Sequence, residues 1–216
     1  HSFVQELKKT RFTAITGVNT LFNLLLHEPS FEAVKKANAG ALKVSVAGGM
    51  AVQRAVAEGW QQMMGMPLIE GYGLTEASPI VCVNPLNAKT FSGKIGVPIP
   101  STRVAIRDEN GCELPLNEQG EICVQGPQVM RGYWNMPEET DRVLSADGWL
   151  RTGDIGVMDE RGYIQFIDRH KDMIVVSGFK AYPTEIEDVV MMLPGVKEVC
   201  VVGIPDEKSG EAVKVY

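Results

Sequence analysis

The sequence predicts an α/β fold in three parts: a partial parallel α/β sheet unit, a β-rich, barrel-like subdomain, and an incomplete small α+β domain. Three observations carry this reading. Over residues 1–92, strand-like and helix-like runs alternate, the pattern of a parallel sheet. From about Gly93 the apolar pieces become short and turn-punctuated, to residue 167. From Asp168, over residues 168–216, a strand–helix–strand unit begins that no closing elements follow.

Taken in order, Phe3, Val4 and Leu7 sit at helical spacing within residues 2–9. Phe12 to Thr16 reads as a buried strand closed by Gly17. Asn19 or Thr20 is placed to cap a helix carrying Leu21, Phe22 and Leu24 to Leu26, which Pro29 ends. Leu42 to Ala47 is a second strand, closed by Gly48-Gly49. A helix over about Val52 to Met64 follows, with Val52, Val56, Trp60 and Met63 on one face. A third short strand, Pro67 to Ile69, runs into Gly71. In parallel sheets ligands sit beyond the carboxyl ends of strands, where all three glycine breaks fall. The β-rich part offers strands at Arg103–Ile106, Gly120–Val124, Asp154–Met158 and Tyr163–Ile167. Its turns are marked by Asn110-Gly111 and Arg161-Gly162. The last unit offers strands at Met173–Val176 and Val196–Ile204 about a helix opened by Pro183, then a final strand pattern near Ala212 to Tyr216.

Composition narrows the class of function. At 44% hydrophobic and 22% charged, the 216 residues have the balance of a soluble globular protein. A net charge of −6 without a basic run argues against a nucleic-acid partner. Cys82, Cys112, Cys123 and Cys200 are scattered without a CxxC pair, so neither a zinc site nor a disulfide framework is indicated. Buried free thiols in a reducing cytoplasm are the expectation. No stretch is long and apolar enough for a bilayer span, and residues 1–10 are too charged for a signal peptide. The first residue is not Met, and the chain stops inside a strand pattern at Val215-Tyr216. A segment of a longer protein is therefore expected.

Four polar signatures interrupt the apolar runs. Glu70-Gly71-Tyr72-Gly73-Leu74-Thr75-Glu76 sets an aromatic ring between two glycines, where backbone can approach a planar ligand closely. Thr75 and Glu76 add oxygens of the kind that hard cations and phosphates attract. Asp147-Gly148-Trp149-Leu150-Arg151-Thr152-Gly153-Asp154 ends on a carboxylate beside a glycine, suited to accept from a ribose diol. Ile167-Asp168-Arg169-His170-Lys171-Asp172 is dense in charge between apolar strands. Ser177-Gly178-Phe179-Lys180 precedes Tyr182-Pro183 and Glu185.

Each signature alone has a plainer account. Thr75-Glu76 suits a helix start, Tyr72 a core aromatic, and Asp154 a turn. Residues 169–172 suit a solvated, ion-paired loop. Gly48-Gly49 suits a strand-to-helix turn, and Ser177-Gly178 any loop. Met63-Met64 and Met191-Met192 suit core filler. His1, His27 and His170 receive no catalytic role.

Jointly, and in this order and spacing, the four signatures resemble successive core motifs of the adenylate-forming enzymes: acyl-CoA synthetases, luciferases and peptide-synthetase adenylation domains. Thr16-Gly17-Val18-Asn19-Thr20-Leu21-Phe22, Ala47-Gly48-Gly49-Met50 and Asp147 to Lys171 resemble bacterial long-chain fatty acid–CoA ligases. The resemblance covers essentially the whole chain. It implies activation of a fatty acid with ATP to an acyl-adenylate and pyrophosphate, then transfer to the thiol of CoA with release of AMP.

Residue by residue, the resemblance assigns Thr75 to a phosphate and Glu76 to Mg²⁺, both as catalytic groups. It places Gly48, Gly49, Gly71, Tyr72 and Gly73 about the adenine, and Asp154 and Arg169 at the ribose. Asp168 stands where the small domain hinges, and Ser177 and Gly178 near the CoA channel. Val18, Gly71, Pro79 and Ile80 border the acyl pocket. The family's phosphate loop and its late lysine have no match in these residues, so the segment alone is expected to be inactive. Lys180 and Lys214 stand outside the lysine's context. The resemblance implies a cytoplasmic enzyme, with a peripheral place on the inner membrane face open. Two alternatives stand: an adenylation domain or acyl-AMP ligase loading a carrier protein, and a non-catalytic nucleotide-binding remnant.

Overall fold

The computed structural model describes residues 2–216, which divide into two compact units. The first runs through Gly73 and resumes over Cys82–Gly96; the second is Leu74–Val81 with Val97–Tyr216.

In the first unit the alternation is α1 (Ser2–Lys9), β1 (Ala14–Gly17), α2 (Asn19–Leu26), α3 (Phe31–Ala37), β2 (Val44–Ala47), α4 (Arg54–Met64) and β3 (Leu68–Gly73). The strands β1, β2 and β3 pair in parallel, with Gly17 opposite Ala47 and Ala47 opposite Glu70. Parallel neighbours need crossovers, and the helices supply them. The helices bury Phe22, Phe31, Val34, Val56 and Trp60 against Ile15, Ala47 and Leu68. Phe22 meets the Trp60 ring edge-on at 4.7 Å between centroids, the geometry that the ring quadrupoles favour. Met63 and Met64 pack against this cluster, as the filler reading expected.

Three details differ from the sequence expectation. The residue preceding α2 is Val18, and no side chain caps that helix. Asn19 is instead buried, and its amide exchanges hydrogen bonds with Gln53: the Gln53 N–H donates to Oδ1 at 3.1 Å and Nδ2 donates to Gln53 Oε1 at 3.2 Å. A capping-type residue is thus used to tie α2 to the start of α4. The helix α3 is unanticipated, because Pro29 reads as a stop and only Phe31 and Val34 mark its buried face. Strand β3 does not stop at Ile69 but carries Glu70, Gly71 and Tyr72 to Gly73.

The second unit begins with a 3₁₀ turn, Thr75–Ala77, whose preceding residue is Leu74 and which no side chain caps. Strand β4 (Ile80–Val83) straddles the two units, and the second unit continues with the short β5 (Val97–Pro98). Next come β6 (Arg103–Arg107), β7 (Gln119–Gln125), α5 (Pro137–Val143), β8 (Leu150–Met158) and β9 (Ile164–Arg169). The barrel-like expectation is refined to an antiparallel meander in the order β6-β7-β8-β9, its edges at β6 and β9. Helix α5 was not anticipated, although Pro137 at its first turn with Glu138 and Glu139 is a start signal.

The chain ends in β10 (Ile174–Val176), β11 (Phe179–Ala181), α6 (Pro183–Met191), β12 (Val201–Asp206) and β13 (Gly210–Val215). These strands form one antiparallel sheet in the order β11-β10-β13-β12. Residues 196–200 stay outside β12, and Met192 is 62% exposed, so it is not core filler. Ser177-Gly178 is a two-residue hairpin turn with φ of 51° and 85°, a conformation glycine adopts without steric cost.

All four cysteines are free; Cys82 and Cys123 are buried, whereas Cys112 and Cys200 are exposed. Burial pushes the Cys82 thiol up to about 12 and the Cys123 thiol to about 11. Because the thiolate is the reactive form, iodoacetamide at pH 8 is expected to label the exposed Cys112 and Cys200 first. Cys82 and Cys123 should label only with unfolding, as followed by peptide mass mapping. Equal rates at Cys82 and Cys112 would contradict this packing.

Candidate nucleotide site

In the second unit, a cleft of about 580 Å³ is bordered by the 3₁₀ turn, the α5 region and the facing ends of β8 and β9. It gathers Glu76, Tyr133, Asp154 and Arg169, with Lys171 at the same rim. Residues separated by more than 90 positions in sequence thus face one hollow.

The centre of the arrangement is the Thr152-Gly153-Asp154 stretch of β8, beside a shift in the β7–β8 register. Its glycine adopts φ of +74°, which an L side chain rarely takes. Glu121 on β7 holds it: Oε1 accepts from the Gly153 N–H at 2.9 Å, and Oε2 accepts from Arg151 Nε at 2.8 Å and pairs with Nη2 at 2.7 Å. That hydrogen bond, then the Glu121 charge, raises the Arg151 guanidinium above its ordinary value. Thr152 Oγ1 donates to the Ile122 carbonyl at 2.8 Å and accepts from the Asp154 N–H at 3.1 Å. His170, just after β9, donates its N–H to the Gly153 carbonyl at 2.8 Å. Asp154 and Arg169 then stand opposite each other in the β8–β9 register, their charges 3.8 Å apart. Asp154 is a strand residue rather than the turn aspartate its sequence alone suggested.

Glu76, in the 3₁₀ turn, is half-buried, and its neighbour Thr75 is exposed. Glu76 Oε1 accepts from the Tyr133 hydroxyl at 2.8 Å. Desolvation, then the hydrogen bond to Glu76 and the charges of Glu76 and Glu139, raises the Tyr133 phenol above its ordinary range, which keeps it the donor. Among the described residues no group of three or more His, Cys, Asp or Glu stands ready for a metal. A lone carboxylate with a hydroxyl beside it does not cage an ion. It does fit Mg²⁺ arriving with a polyphosphate, since that ion keeps several waters and takes one or two protein oxygens.

The remaining sequence-selected residues lie elsewhere. In the first unit, a Cβ on Gly48 would stand 2.8 Å from the Gly71 carbonyl oxygen, and one on Gly49 would stand 3.6 Å from Val18 Cγ1. Val18, Gly48, Gly49 and Gly71 therefore form one cluster, and Gly48 is needed for a close backbone approach. Tyr72 and Gly73 follow on the same strand, both half-buried. Pro79 accepts from the Leu74 N–H at 2.8 Å, and both Pro79 and Ile80 are exposed. Asp168 does not line the cleft. Only 4% exposed, it accepts from the Arg169 N–H at 2.8 Å and from the Thr184 N–H at 3.0 Å, joining β9 to the start of α6. Ser177 and Gly178 also lie outside the cleft, in the β10–β11 turn, where the Ser177 N–H donates to Ser209 O at 2.8 Å. Glu121 and Tyr133, with Arg142 and Val143 of α5, are cleft residues that the sequence did not single out. Arg151 belongs to the signature over residues 147–154, where the sequence gives it no role.

Glu121→Gln retains an oxygen acceptor but removes the charge facing Arg151. It is expected to cost about 1 kcal/mol in denaturant unfolding, since the pair is partly exposed, and to weaken nucleotide binding by loosening the stretch that carries Asp154. Unchanged binding would separate that stretch from the site.

Comparison with known proteins places this geometry. The family described as AMP-binding enzyme matches residues 1–134, and the AMP-binding enzyme C-terminal domain matches residues 185–216. The chain is 54% identical over 213 residues to the long-chain-fatty-acid–CoA ligase of Escherichia coli O6:H1, covering 99% of this chain and 37% of that protein. It is 51% identical over 214 residues to the long-chain-fatty-acid–CoA ligase of Haemophilus influenzae, with the same coverage of 99% and 37%. The chain thus spans little more than a third of the length of these relatives. The crystal structure of ATP-bound MatB from Rhodopseudomonas palustris superposes with a TM-score of 0.89 at 33% identity, over 99% of this chain and 42% of that one. The glycine cluster and the cleft are features of a chain that belongs to the AMP-binding, adenylate-forming enzyme family.

Proposed function

We propose that the protein containing this chain is a long-chain fatty acyl-CoA synthetase. It joins a fatty acid to ATP as an acyl-adenylate with loss of pyrophosphate, then passes the acyl group to CoA with loss of AMP. The observation that carries this reading is the cleft that sets Asp154 and Arg169 beside Glu76. Its substrate class is supported by the 54% identity to a protein named for that reaction.

The first step is attack by a carboxylate on the α-phosphorus of an anionic triphosphate. It needs charge neutralisation and in-line placement more than proton transfer. Asp154 accepts hydrogen bonds from the ribose hydroxyls, and Arg169 holds that carboxylate while donating to the same sugar. Tyr72 stacks on the adenine, with Gly48, Gly49, Gly71 and Gly73 letting backbone approach its faces. Thr75 donates to a phosphate oxygen, and Glu76 supplies the protein oxygen for Mg²⁺. When bound, Mg²⁺ neutralises phosphate charge and screens the incoming carboxylate.

Val18, Gly71, Pro79 and Ile80 border the acyl chain, and Ser177 and Gly178 border the pantetheine of CoA. Residues 1–92 and 93–167 belong to the large domain. Residues 168–216 begin the small one, which turns about Asp168 between the two half-reactions. The enzyme acts in the cytoplasm. No helix among the described residues is long and apolar enough to cross a membrane.

In the full-length protein, palmitate-dependent ATP–pyrophosphate exchange and palmitoyl-CoA formation test the reading. Glu76→Ala is expected to lower exchange by on the order of 100-fold, as loss of an electrostatic group at a transferring phosphate does, with an unchanged circular dichroism spectrum. Normal exchange in that variant would remove Glu76 from the metal role. Acyl transfer to a carrier-protein thiol but not to free CoA would replace the synthetase reading.

A further inference from the structure

Glu76 is held at two points by one segment, and neither hold is explained by the cleft's nucleotide chemistry. The Met130 N–H donates to the Glu76 carbonyl at 2.8 Å, fixing the backbone of the 3₁₀ turn. Three residues on, the Tyr133 hydroxyl donates to Glu76 Oε1 at 2.8 Å, fixing the side chain.

The segment that makes both contacts is itself tied down. Gln128 Nε2 donates to Thr102 Oγ1 at 2.7 Å and to the Ile80 carbonyl at 3.3 Å. The Tyr133 N–H donates to Thr140 Oγ1 at 2.9 Å, and that hydroxyl donates to Met136 O at 2.8 Å. Gly132 makes the fit possible: it adopts φ of +147°, and a Cβ there would stand 2.7 Å from Thr140 Cγ2. A glycine, a threonine on α5 and a tyrosine therefore combine to aim one hydroxyl at one carboxylate oxygen. Glu76 Oε2 accepts no hydrogen bond from the described residues.

We propose that Tyr133 is a positioning residue for Glu76, holding Oε1 so that Oε2 is presented to the metal ion of a metal–nucleotide substrate. This rests on the reading of Glu76 given above. A free glutamate must lose side-chain rotamer freedom when it takes up a metal. A carboxylate already held by one hydroxyl loses less on binding. The phenol does not touch the substrate in this account; it acts through Glu76.

The test uses the full-length protein with Mn²⁺ as the probe. Mn²⁺ binding is read by electron paramagnetic resonance with and without ATP, beside the Mg²⁺ dependence of palmitate-driven ATP–pyrophosphate exchange. Tyr133→Phe removes only the hydroxyl. It is expected to weaken Mn²⁺ binding in the presence of ATP about ten-fold, the scale of the rotamer freedom that a held glutamate has already given up. The Mg²⁺ concentration at half-maximal exchange should rise by the same factor, with the KM for palmitate unchanged.

Unaltered Mn²⁺ binding and an unaltered Mg²⁺ curve in Tyr133→Phe, with both damaged in Glu76→Gln, would overturn the positioning role alone. Both unaltered in Glu76→Gln would overturn the reading of Glu76 and the inference with it. Should Tyr133→Phe fail to fold, Thr140→Val keeps the phenol but loosens its backbone. It is expected to give an intermediate weakening, and no weakening would overturn the proposal.

Discussion

The Glu121 carboxylate is the constraint on which the candidate site depends. One oxygen takes the Gly153 N–H and the other takes the Arg151 guanidinium. A charge-assisted pair with this geometry is stronger and more directional than a neutral hydrogen bond. It fixes a left-handed glycine that would otherwise be free to move, and it does so from a neighbouring strand. Asp154 follows immediately, so its position is inherited from Glu121 through a single peptide bond. The meander then supplies Arg169 across the β8–β9 register.

The rest of the second unit repeats this logic. Polar side chains that read as surface groups or turn markers each take an identified partner. Thr152 is locked to β7, Asp168 to the start of α6, and Glu76 to Tyr133. Asp168 is instructive, because its buried carboxylate spends both oxygens on backbone N–H groups at the junction of β9 and α6. A buried charge satisfied in this way is stable where it stands. Any movement of α6 away from β9 must give up the hydrogen bond to the Thr184 N–H.

Much of this was legible in the sequence, and the residues show why. The alternation of β1, α2, β2, α4 and β3 was readable because Phe22, Val56, Trp60 and Leu68 keep the helical and strand periods of a buried face. The motifs about Gly71 and Asp154 were readable because glycine beside an acidic or aromatic residue is an uncommon pattern with a local cause. What escaped was long-range. Glu121 sits in an ordinary strand run opposite Ile155, and only the shift in the β7–β8 register lets its side chain reach the Gly153 N–H. Tyr133 is 57 positions from Glu76 in sequence, and nothing in Gly132-Tyr133-Trp134 announces a carboxylate partner. Asn19 misled for the opposite reason: a residue with strong local cap preference was taken by a distant glutamine. Helix α3 was missed because two buried side chains are too few to establish a period.

Under the proposed function, the Asp154–Arg169 pair on this meander receives the ribose of an adenylate. The most direct test is a crystal structure of the full-length protein with a non-hydrolysable acyl-adenylate analogue. An Asp154 carboxylate oxygen is expected within about 2.6–3.2 Å of a ribose hydroxyl, with Arg169 at the same sugar and the Glu121–Gly153 hydrogen bond intact. An analogue bound with its ribose away from Asp154, or a Thr152–Asp154 stretch rebuilt on binding, would contradict this role.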